Sequence, residues 1–195
     1  MTKPYPFMNG MLIVIDGPKK WTIVDEWTYE MQYVVRPLGP GDEGPMVLIN
    51  GVTNTPIWDM SSPIMHDKGD EEKKYVDILS LPEDSPRTCI RLYQTSDEAF
   101  RWEMTWSSEQ VFRWKKPAFS AHLRCVDTRD PTNLLAVYEP VVDENLPEYI
   151  PIKGTPLGWI RSCVLEPLAP KPLTDDPGFL AASMVLLAIS RNDRL

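Results

Sequence analysis

Two histidines and three cysteines stand among the 195 residues, and their spacing narrows the chemistry open to this chain. His122 alternates with Ser120 and Arg124, so a strand here puts it on a polar face. Cys125, three positions on, falls on the opposite face. A thiol and imidazole pair within that strand is therefore geometrically poor as a nucleophile and base. His66 lies in the charged segment 65–74 with no second ligand beside it and reads as solvated. Cys89, Cys125 and Cys163 form no CxxC and are odd in number, which points to neither a disulfide framework nor a structural zinc site. The acid clusters Asp70-Glu71-Glu72, Asp143-Glu144 and Asp175-Asp176 lack calcium-loop spacing. No GxSxG, HExxH, P-loop or GxGxxG motif occurs. The glycine run 39–44 carries Asp42-Glu43, the wrong sign for a phosphate cradle. The expectation is a protein with no catalytic residue, no metal site and no cofactor.

One stretch stands out by charge. Residues 111–126 contain Arg113, Lys115, Lys116 and Arg124 and no acid. Alternation places Arg113 and Lys115 on one outward strand face, with Lys116 at the turn before Pro117. These four are the candidate anion-binding residues. The plainer alternative is a solvated strand face, with Glu103 on the neighbouring strand opposite Arg113 or Lys115.

The elements that position them are mostly strands. Twenty prolines are spread along the chain, about twice the usual roughly 5%, and each closes off a helix interior. Period-two alternation marks 28–35, 101–106, 112–115 and 119–126, and the polar loop 127–133 then leads into a further strand over 134–138. In the 102–115 hairpin, Met104 and Trp106 share a face with Phe112 and Trp114, so the loop must be odd: 107–109 or 107–111. Weaker strand signals cover 12–15, 21–24, 46–50, 56–60, 75–79, 88–93 and 158–165, and 70–79 also has helical spacing. Cys125 points with Leu123 to the apolar side, and Trp58, in a proline-framed segment, is the tryptophan expected to be exposed.

One segment breaks the pattern. Asp175-Asp176-Pro177 is a helix start signal, and Phe179 to Ile189 is apolar on every face. Such a helix must be surrounded, by protein or by lipid. A helix over 177–190 spans about 21 Å at 1.5 Å per residue, short of a bilayer core of about 30 Å. Enclosure by a barrel is the expected solution, with a membrane-dipping tail as the alternative.

Composition adds limits. Twenty basic against 28 acidic residues leave a net charge of −8, which argues against general nucleic-acid binding. The first apolar run, 11–15, is shorter than the roughly 7 to 15 residues of a signal-peptide core, so the expected location is cytoplasmic or at the membrane periphery.

Phe112-Arg-Trp-Lys115, Leu123-Arg-Cys125, Leu135-Ala-Val-Tyr138, Leu157-Gly-Trp-Ile160 and then the helix follow one another in an order that resembles the tubby C-terminal-like superfamily. Tubby proteins, phospholipid scramblases and LURP-one-related proteins belong to it, and the segment order here is most similar to its fungal members. The resemblance covers the last hundred or so residues. It implies a closed antiparallel β-barrel of about twelve strands around a C-terminal helix. It also implies a non-enzymatic module that binds an anionic membrane lipid or a protein partner. Tubby proteins hold phosphoinositide headgroups with basic residues on the barrel wall. Scramblases carry an acidic calcium-binding segment that this chain lacks. The expectation is thus a single all-β domain over 1–195. A ligand-carrying barrel of lipocalin type, with an empty lumen, and an enzyme assembled from distant loops are the alternatives.

Overall fold

A computed structural model describes residues 7–39, 44–60, 75–81, 88–95, 101–105, 111–142, 151–163 and 173–191. Twelve strands follow in chain order: β1 (Phe7–Ile15), β2 (Trp21–Asp25), β3 (Met31–Pro37), β4 (Met46–Asn50), β5 (Pro56–Asp59), β6 (Tyr75–Ser80), β7 (Cys89–Gln94), β8 (Arg101–Thr105), β9 (Val111–Lys115), β10 (Leu123–Asp127), β11 (Leu134–Pro140) and β12 (Thr155–Cys163). Each pairs antiparallel with its chain neighbour, and β12 returns to β1 to close the barrel. Closure leaves no free sheet edge. A 3-10 turn (Leu173–Asp175) then leads into α1 (Pro177–Arg191).

The expected architecture is therefore present, with the helix inside. Residues Gly178 to Ala188 are all buried, and they form one core with inward side chains from all twelve strands. Asp176 caps the helix, its Oδ1 accepting from the amides of Gly178 at 2.8 Å and Phe179 at 3.3 Å. Pro177 follows, where its missing N–H costs nothing. Phe179 stacks on Trp114 with centroids 6.0 Å apart. The lumen that a ligand-carrying barrel would keep open is filled by this helix. Among the described residues no helix is long and apolar enough to cross a membrane.

Four expectations are corrected or narrowed. Trp58 is buried, not exposed, because it lies against the first turn of α1, where a Cβ on Gly178 would come 2.6 Å from its ring. The strand expected over 119–125 begins only at Leu123, since a turn closed by the Ser120 amide on the Pro117 carbonyl at 3.2 Å holds the preceding residues. Segment 75–80 is strand β6, and 70–74 lies outside the described residues. In the β8–β9 hairpin Thr105 faces Val111 and Met104 faces Phe112. The connection is odd as expected, but Val111 belongs to the strand and not to the loop. Trp106, His66, Asp70-Glu71-Glu72 and Asp143-Glu144 lie outside the described residues.

The wall has two unlike halves. Four consecutive residues are buried in each of β2 and β4, and five, Gly10 to Val14, in β1, so there both faces are covered. Leu12, Val14, Val24 and Trp159 form an outer apolar cluster beneath Tyr29, Val141 and Ile152. Strands β8 and β9 instead alternate between buried and accessible residues throughout, as do β6 and β7 up to their last two residues, which are both accessible. Their outer face is open.

Replacing Leu186, 1% exposed in α1, by Asp places an unpaired charge in the core, a cost of several kcal/mol against a total stability of about 5–15 kcal/mol. Leu186→Asp is expected to abolish cooperative urea unfolding followed by circular dichroism. A wild-type transition in that variant would show that the helix is not the core.

Candidate functional site

The open wall carries the basic residues, and register decides what each can do. Glu103 lies directly opposite Arg113, and the Arg113 Nε donates to Glu103 Oε1 at 2.9 Å. Arg113 is therefore committed to an internal ion pair. Asp77 likewise takes Arg91 in two hydrogen bonds of 2.7 Å, and the Arg91 guanidinium stacks 4.6 Å above the Tyr75 ring. Tyr93 and Thr105 share a hydroxyl contact of 2.6 Å. The middle of this face is electrically settled.

At its end the pattern changes. Lys115 lies opposite Arg101 on one side and opposite Arg124 on the other. The three occupy outward positions on β8, β9 and β10, a span of about 10 Å at the usual strand spacing. Among the described residues none of them forms a salt bridge. Like charges directly opposite each other on neighbouring strands are destabilising. An anion laid across the row relieves that repulsion.

Two of the four predicted residues, Lys115 and Arg124, thus stand together, joined by Arg101. Arg101 could not be found from the basic stretch alone, because it lies on another strand and only the β8–β9 register sets it beside Lys115. Lys116 turns away. It lines a recess of about 260 Å³ at the barrel rim with Ala121, Leu123, Tyr138, Pro140, Ser190 and Arg191.

The covered half of the wall treats cations differently. Arg161 on β12 donates from Nε to both carboxylate oxygens of Glu26 at 3.0 Å and from Nη1 to Glu139, and its guanidinium lies 5.0 Å from the Trp159 ring centre. Gly10 makes this possible, because a Cβ there would stand 1.7 Å from Glu26 Oε2. One cation is held by two acids on that side, whereas on the open side three share none among the described residues.

The thiols are free and none is activated. Burial pushes Cys125 well above its ordinary pKa and Cys163 up to about 11. Burial and the nearby Asp77 raise Cys89. His122 is exposed in the β9–β10 loop, its amide donating to Ser120 Oγ at 3.1 Å. Among the described residues no three His, Cys, Asp or Glu side chains gather as a metal site. Among the described residues the geometry offers a cationic surface. Comparison with protein-family models, curated proteins and solved structures found no match for the chain.

Removing the central charge of the row removes both repulsions. Lys115→Gln is expected to stabilise the fold by about 0.5 kcal/mol, a rise in Tm of about 1–2 °C, larger at low salt than at high salt. Calorimetry at two ionic strengths measures it. A fall in Tm would show that Lys115 is held by an internal partner.

Proposed function

We propose that this barrel is a non-enzymatic interaction module that binds anionic phospholipid headgroups through Arg101, Lys115 and Arg124. The observation that carries the proposal is the register of those three cations, set opposite one another and, among the described residues, without a salt-bridge partner. Two neighbouring arginines, Arg91 and Arg113, are neutralised by cross-strand carboxylates, so the same sheet contains the device that would quiet the row and does not apply it there. A phosphate group accepts several charge-assisted hydrogen bonds at once, and arginine suits that geometry.

The net charge of −8 does not oppose contact at this row, since charges beyond about 8–10 Å are screened at physiological salt. Each basic residue near an anionic leaflet contributes about 1 kcal/mol. The resemblance to tubby-like barrels supports the same class of ligand, and the location that fits is cytoplasmic at the membrane periphery.

Co-sedimentation with liposomes tests this. Wild-type protein is expected to bind phosphatidylcholine vesicles containing a phosphatidylinositol phosphate, not phosphatidylcholine alone, and to lose binding as salt rises. Lys115→Gln/Arg124→Gln is expected to weaken that binding by about 2 kcal/mol, or about thirtyfold. Equal binding to both vesicles, or no change in the double variant, would sink the headgroup assignment.

A further inference from the structure

Phe119 is the most exposed large apolar residue described, with 110% relative exposure. Its backbone is also strained, with φ at 59°. The turn 117–120, closed by the Ser120 amide on the Pro117 carbonyl, has its positive φ at the third position, where turns of that kind ordinarily carry glycine or asparagine. An aromatic residue there is an outlier.

The comparison with Tyr29 shows what is unusual. Tyr29 also has a positive φ, 57°, but its ring packs on the Leu12, Val14, Val24 and Trp159 cluster. Burial offsets its strain. Phe119 is strained and, among the described residues, its ring is not buried, so packing of the ring does not offset that cost as it does for Tyr29. Backbone strain of this kind concentrates where a protein meets a ligand.

Its surroundings identify the partner. The loop 116–122, Lys-Pro-Ala-Phe-Ser-Ala-His, contains no acid. It connects β9 to β10, and so springs directly from Lys115 and leads to Arg124. A projecting apolar ring beside a row of cations matches the cross-section of an anionic bilayer, charged at the surface and apolar just beneath. The other exposed large aromatic among the described residues, Trp27, is 75% exposed and lacks that setting. It sits between β2 and β3, at the opposite end of the barrel, amid Asp25, Glu26 and Glu30.

We infer that the 116–122 loop is a membrane anchor that inserts Phe119 into the interface of an anionic bilayer while Arg101, Lys115 and Arg124 engage the headgroups. This deepens the headgroup assignment and rests on it: the ligand is taken from a membrane surface, with the β9–β10 rim facing the lipid, and not as a free phosphate in solution.

The test compares two ligands and four variants, one of them the Lys115→Gln/Arg124→Gln double variant. The ligands are vesicles of phosphatidylcholine with a phosphatidylinositol phosphate, and the matching soluble inositol phosphate. Phe119→Ala and Phe119→Gly are each expected to lower vesicle affinity about tenfold and to leave soluble headgroup binding unchanged. Phe119→Gly, relieved of its strain, is expected to unfold at or above the wild-type temperature, which shows that lost binding is not lost folding. Trp27→Ala is expected to change neither ligand. Wild-type vesicle affinity in the Phe119 variants overturns the anchor, as does an equal loss for the soluble headgroup or an equal loss of vesicle binding in Trp27→Ala. If wild-type protein binds the soluble headgroup but not vesicles, the anchor fails and the cationic row stands. If vesicle binding depends on Phe119 but not on Lys115 and Arg124, the row fails instead.

Discussion

A helix apolar on every side has no face to give to water, and this constraint governs the rest of the molecule. Residues Gly178 to Ala188 must be enclosed all round, and a two-layer packing would leave part of the helix wet. Closing a meander of twelve strands on itself meets the need. Small side chains at Ala181, Ala182 and Ala188 let the wall approach, and Gly178 takes the closest contact, against Trp58. Large rings at Trp102, Trp114 and Phe112 complete the same core.

With the interior occupied, function is pushed outward. A barrel whose lumen is filled by its own chain has only its outer wall and its rims to offer. The two halves of that wall are built differently. Around β12, β1 and β2, connecting segments fold back over an outer apolar cluster, and Arg161 is shared by Glu26 and Glu139. Across β6 to β9 the outer face is open, its central cations are paired, and among the described residues the row at its end is not. The electrostatic contrast is local, and it is opposite in sign to the charge of the whole chain.

Much of the fold was legible because strands and this helix write their periods into the sequence. The hairpin of β8 and β9 shows how far that goes: alternation alone required an odd connection, and the structure places five residues between Thr105 and Val111. Local pattern failed where a proline redirected the chain. The alternation of Phe119, Ala121, Leu123 and Cys125 continues a strand on paper, but the turn at Pro117 removes the first two from it and swings Phe119 from the expected inner face to full exposure. Trp58 failed in the other direction. Proline framing suggested exposure, whereas its neighbour proved to be a helix more than a hundred residues later.

The sequence by itself determined the strand content, the capped apolar helix, the outward face of Arg113 and Lys115, and the need for enclosure, because periodicity and capping are local properties of the chain. Tertiary structure alone decided which charges are neighbours. Closure and register bring Arg101 beside Lys115 and Lys115 beside Arg124 while giving Arg113 to Glu103, and a one-residue slip in pairing would have turned every one of those side chains to the other face. Charge in the sequence is a list; pairing across strands makes it a surface.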